Sequence, residues 1–274
     1  MSHPVCAPLW EAQVIMSVPF VAFEPMETSE VGEATTRGLA SWPELLELAN
    51  DALQVTSRDI LLPELSIAMP LEVGHASVAR TRQLLAGLVV LVDAGLLDIC
   101  GTLTRPLYET WLVGMYGLLG GPDALESLGA QQDKSLAPLL AVLGKTSQNK
   151  GQGLSVEGMA GKVSDLMRER GMPNRRFAKN AYGVVYRFQS YRDVHGGLGS
   201  IEGHIDRHPG HVVVLRQRPD DDAFVRHGFL LALAIFISGA QIVAKESGFD
   251  HQVLDELGER VHGFAPKTQE TSME

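Results

Sequence analysis

The sequence predicts an all-α protein, an irregular bundle of about seven to nine helices behind an irregular N-terminal arm. Three observations predict it. Apolar residues recur at helical spacing through most of residues 41–263. Serine or aspartate precedes several of these stripes and glycine follows them, as helix caps do. Strand-like and helix-like segments do not alternate, so no parallel sheet is expected, and no internal repeat is present.

Residues 1–40 carry five glutamates and four prolines without a sustained helical period, and read as an acidic arm with a weak strand signal at Val14–Phe23. The first helix starts after Ser41, where Ser41 and Glu44 have the spacing of a capping box. Leu45, Leu46, Leu48, Ala49, Ala52 and Leu53 form its stripe. A second helix is expected over Ala76–Asp93, capped by Gly95. A third covers Leu96–Leu119, with Pro106 either near its start or kinking it, because proline lacks the amide hydrogen a helix interior needs. Gly120-Gly121-Pro122 is a turn, and a further helix runs to Leu143.

The polar stretch Gly144–Gly153 reads as a linker. Ser155 caps a helix to Arg170, closed by Gly171. Arg175–His195 is the next helix, followed by a short one over Ser200–His208 and a possible strand at Val212–Leu215. Asp222 caps an apolar helix through Lys245, and Asp250 caps the last, to His262. The domain plan is an arm (1–40), one bundle (41–263) and a loose tail (264–274).

Composition excludes several classes. A formal charge of −10 argues against a general polyanion binder. Two cysteines, Cys6 and Cys100, cannot make a disulfide framework and suit a reducing cytoplasm. The N-terminus has no basic residue before Arg37 and is broken by prolines, unlike a secretory signal. The apolar run Phe229–Ala244 is shorter than the roughly 20 residues of a membrane span and reads as a core helix. The expectation is a cytoplasmic protein with no membrane contact.

Charge is uneven. Residues 162–192 hold eight basic groups (Lys162, Arg168, Arg170, Arg175, Arg176, Lys179, Arg187 and Arg192) against Asp165 and Glu169. This is either a solvated face or an anion site that takes phosphate, a nucleotide or RNA.

Three constellations can carry chemistry. Arg105 and Glu109 lie four apart in an apolar helix, where a charged pair must be neutralised. They form either a structural ion pair or the base of a polar site. Tyr182, Tyr186 and Ser190 share one helical stripe, with Arg187, Tyr191 and His195 on the next. His195 ends that helix, where the dipole favours its cationic form and Arg187 or Arg192 opposes it. It is therefore a candidate acid or base. His204, Asp206, His208 and His211 are the densest group of metal-ligand types. On a helix, Pro209 spoils the geometry for His211 and Arg207 repels a cation, so no tightly bound metal and no cofactor is expected.

Arg105 with Glu109, then a Tyr-x3-Tyr-Arg run and a hydroxyl residue before His195-Gly196, is similar to an uncharacterised bacterial family of all-helical proteins catalogued as a domain of unknown function. The resemblance covers about residues 76–247 and implies a fold and a site rather than a reaction. Here Ser190 stands five and Tyr191 four before the histidine. The functional expectation is a small polar or anionic ligand held by Arg105, Glu109, Tyr191 and His195 as catalytic candidates. Arg187, Arg192, Tyr186 and Ser190 are the binding candidates. A ribonuclease-like toxin or antiphage effector is the alternative. It would use the basic hairpin and His195, but neither Arg187 nor Arg192 has the Arg-x4-6-His spacing of such enzymes. A non-catalytic oligomeric module, assembled through the arm and the apolar helix, is the other alternative. A homo-oligomer is expected.

Overall fold

A computed structural model describes residues 17–18, 21–22, 40–58, 68–142, 154–172, 176–185, 205–209, 211–214 and 222–264. Among them the fold is all-α, with seven helices, one 3-10 turn and two short hairpins. Strands β1 (Ser17–Val18) and β2 (Val21–Ala22) pair antiparallel within the arm, inside the stretch with the weak strand signal.

Helix α1 (Trp42–Val55) starts where the capping box predicts. The Glu44 carboxylate accepts both the Ser41 N–H and the Ser41 hydroxyl, each at 2.7 Å. These bonds hold the Glu44 carboxyl below the usual carboxylate range. Leu45, Leu48, Ala49 and Ala52 are buried, which is the i, i+3, i+4, i+7 face of one helix.

Helix α2 (Ala68–Asp93) begins eight residues before the expected start. Pro70 lies in its first turn, where a missing N–H costs nothing. It ends as predicted at Gly95, with Leu96 N–H reaching back to the Leu91 carbonyl. A 3-10 turn (Leu97–Ile99) leads into helix α3 (Gly101–Val142). Pro106 falls in its second turn. Gly121, at φ 65 and ψ −151, breaks the helix at the Gly-Gly-Pro turn, so 101–120 and 122–142 are two helices in tandem. Pro122 has no N–H to return to the preceding turn. The Leu119 carbonyl next to the break accepts from Arg170 Nη2 at 2.9 Å.

Helix α4 (Val156–Glu169) carries the expected cap, with Ser155 Oγ accepting from Gly158 N–H at 3.0 Å. Helix α5 (Phe177–Ala181) continues into a π-helical turn at 182–185. Residues 186–204 lie outside the described residues, and with them the rest of the expected 175–195 helix.

Residues 205–208 are not helical, contrary to expectation. They form strand β3 (Ile205–His208), which pairs antiparallel with β4 (His211–Val214). The reason is local. Pro209-Gly210 is a turn sequence, and Ile205 on one side and Val212-Val213-Val214 on the other are β-branched residues that fit a pleated surface.

Helix α6 (Asp222–Glu246) starts at Asp222 itself rather than after it. Helix α7 (Gln252–Gly263) follows Asp250, whose Oδ1 accepts the Gln252 N–H at 3.0 Å.

The helices build one core. Helix α2 packs along α3, both pack on α6, α4 lies on α3, and α7 closes over α6 and α1. Gly87 lies against Leu103, Ser77 against Gly114 and Val73 against Gly117, so α2 and α3 run antiparallel. A methyl group at Gly114 would sit 1.9 Å from Ser77 Oγ, so only glycine allows this approach. Among the described residues, Phe229, Phe236, Trp111 and Tyr108 are the largest fully buried side chains. Burying each apolar side chain of this size contributes on the order of 1.5–3 kcal/mol.

Helix α6 is longer than the apolar run suggests. Its Val225–Glu246 stretch of 22 residues is long and apolar enough to cross a bilayer, and 67% of that window is buried inside the fold. That burial is what a central core helix requires.

Candidate functional site

Arg105 and Glu109 stand in the second and third turns of α3. Arg105 Nε donates to Glu109 Oε1 at 2.9 Å, and the side chains are 20% and 37% exposed. The i, i+4 spacing anticipates this pair, and it neutralises both charges at the edge of the core. The carboxylate fixes the plane of the guanidinium, whose rigid fork matches carboxylate and phosphate groups.

Tyr108 lies between them in sequence but turns inward. Its hydroxyl donates to the Ala178 carbonyl on α5 at 2.8 Å. Burial pushes its ionisation far above the usual tyrosine range, and the nearby Tyr182 and Glu109 oppose ionisation further. Tyr108 is therefore a neutral hydroxyl donor. Its ring stacks on Trp111 at 6.0 Å, and Trp111 meets Phe177 edge-on at 5.5 Å.

These contacts seat α5 against α3. Ser164 Oγ on α4 accepts the Lys179 N–H at 3.2 Å and fixes the other side of α5. Tyr182 opens the π-helical turn directly beyond α5. Such turns widen the backbone by one residue and recur at functional sites. The site region thus combines a half-buried ion pair, a buried neutral hydroxyl, a second tyrosine and an irregular turn.

Of the residues that the sequence singles out, the structure describes Arg105 and Glu109 and brings them together. Tyr186, Arg187, Ser190, Tyr191, Arg192 and His195 lie outside the described residues. Tyr108 is a residue that sequence reasoning missed. Its position three beyond Arg105 offered a faint signal, but Ala178, its partner, is 70 residues away.

The basic stretch is partly engaged. Arg168 pairs with Asp165 at 2.7 Å, and Arg170 with Glu246 at 2.6 Å. Lys162, Arg176 and Lys179 are exposed, and Arg175 lies outside the described residues. Among the described residues, no group of three histidine, cysteine, aspartate or glutamate side chains gathers to hold a metal ion. His204 lies outside them. His208 and His211 are opposed on a hairpin rather than separated by a helix break, which corrects the helical placement of that cluster.

Elsewhere, His75 Nε2 lies 2.8 Å from Ser247 Oγ, and that hydroxyl donates to the Val243 carbonyl. The serine proton is thus committed to the helix, so the pair is a clasp between α2 and the end of α6 rather than an activated nucleophile.

Compared with protein-family models, curated proteins and solved structures, the chain matches none of them.

Proposed function

We propose that the chain binds a small ligand at the junction of α3, α5 and the π-helical turn. The ligand carries an anionic group beside a hydroxyl or amine. Arg105 takes the carboxylate or phosphate, and Glu109 accepts from the neighbouring donor. The observation that supports this reading is the half-buried Arg105–Glu109 pair, set beside Tyr108 and Tyr182 where the helix departs from α geometry. Helix packing does not require charged residues at this edge. Replacing a buried ion pair by apolar side chains is often neutral or stabilising.

The ribonuclease reading has less support. Arg168 and Arg170, two of its eight basic groups, are already engaged by Asp165 and Glu246. Calorimetric titration with L-serine, glycerol 3-phosphate and inorganic phosphate tests the proposal. At least one is expected to bind saturably at one site, and Arg105→Gln is expected to abolish that binding while melting close to the parent. A partly exposed pair contributes only about 0–1 kcal/mol to stability. No binding by any of the three, or equal binding by the Arg105→Gln variant, overturns the proposal.

A further inference from the structure

We propose that the outer face of α2 is a dimerisation seam, on which a second copy of the chain packs its own α2 antiparallel, about a two-fold axis between Ala86 and Gly87. The side that α2 turns away from the bundle carries the inference. Ala76, Ala79, Gln83 and Val90 are exposed there and Ala86 is half-buried. These positions follow one another by three, four, three and four residues, the 3.5-residue period of a helix–helix seam. A solvated face carries charged side chains at such positions. Here they are alanine, glutamine and valine, and Val90 is 65% exposed in the single chain. On the other side of α2, Ser77, Thr81, Leu85 and Leu88 are already buried in the bundle. A helix without a charged stripe on either side calls for cover on both. Helix α6 buries its apolar surface in the core, so the open face belongs to α2.

The charges beside the seam select its occupant. Arg80 and Asp93 are both exposed. Arg80 Nη1 donates to Gln83 Oε1 at 3.1 Å, and neither Arg80 nor Asp93 belongs to an ion pair among the described residues. They stand equally far along the chain from the point between Ala86 and Gly87, one on each side. A two-fold contact uses the same patch on both subunits, so a residue on one side of the axis meets the residue equally far on the other side. The antiparallel arrangement therefore sets Arg80 opposite the partner subunit's Asp93, and does so twice. It also sets Ala79 opposite the partner subunit's Ala94. A parallel pair would set arginine on arginine and aspartate on aspartate, which repel. The face is complementary to itself in charge, and this fits a second copy of the chain. At the axis, Gly87 has no side chain and Ala86 only a methyl group, so the two backbones can approach closely.

Sedimentation equilibrium of the full chain tests the proposal, and a reversible monomer–dimer equilibrium is expected. Val90→Lys puts a charge on the seam and is expected to leave only monomer, with the circular dichroism of the parent. Arg80→Glu and Asp93→Arg each set like charges opposite one another, and each is expected to weaken dimerisation at least about tenfold. The double variant Arg80→Glu/Asp93→Arg restores opposite charges across the axis and is expected to dimerise as the parent does. A parent that stays monomeric at every concentration overturns the proposal. So does a dimer that Val90→Lys leaves intact, because its contact then lies on another face. A double variant that dimerises as weakly as the single ones overturns the antiparallel register.

Discussion

Two adjoining stretches of α3 are built on different principles. In 111–119, Trp111, Leu112, Met115, Leu118 and Leu119 are all buried against neighbouring helices. In 104–109, buried Thr104, Leu107 and Tyr108 alternate with half-buried Arg105 and Glu109. Both stretches keep the helical period. Hydrophobic burial accounts for the first. The second sets an ion pair at the partly exposed edge of the same helix, where pairing rather than burial neutralises the charges.

The largest effect expected from breaking that contrast is at Trp111. The indole is 1% exposed, and Gly239 on α6 leaves room for it, since a methyl group there would lie 2.7 Å from Trp111 Cδ1. Trp111→Ala is expected to cost about 3–5 kcal/mol, from lost burial and the cavity left behind. The midpoint of urea unfolding measures it. A loss below about 1 kcal/mol would remove Trp111 from the core account.

Tyr108→Phe sharpens the contrast from the polar side. The ring and its stacking on Trp111 stay, but the Ala178 carbonyl keeps only the Tyr182 N–H as its donor. Losing one of its two hydrogen bonds costs about 0.5–1.5 kcal/mol. The same variant is expected to weaken ligand binding at the adjacent site, because the hydroxyl seats α5. Full stability in Tyr108→Phe would mean that the hydroxyl does not help to hold α5 on α3.

The smallest effect concerns His75 on α2. Burial lowers its pKa below the ordinary value of 6.5. The folded protein therefore prefers the neutral ring, while the unfolded chain protonates near pH 6.5. The resulting stability is present above that pH and is lost as pH falls through it toward the folded value. Urea midpoints at pH 7.5 and pH 5.5 are expected to differ less in His75→Gln than in the parent. An identical difference in both proteins would refute the assignment.

The sequence by itself determines where most helices start and stop. Caps act within a few residues, so Ser41 with Glu44, Gly95, and Ser155 with Gly171 are read without knowing what packs on them. The Arg105–Glu109 pair is legible for the same reason, since one helical turn separates its members. Tertiary structure decides whatever joins distant segments. The Tyr108 hydroxyl finds a carbonyl 70 residues on, and Arg170 finds one 51 residues back at the α3 break. The π-helical turn after α5 leaves no mark in the periodicity of its residues. The His204–His211 segment shows the limit most directly. Its histidine spacing fits a helix face, but strand pairing across Pro209-Gly210 wins for 205–214, because the branched residues of β4 supply a partner ladder that local spacing does not reveal.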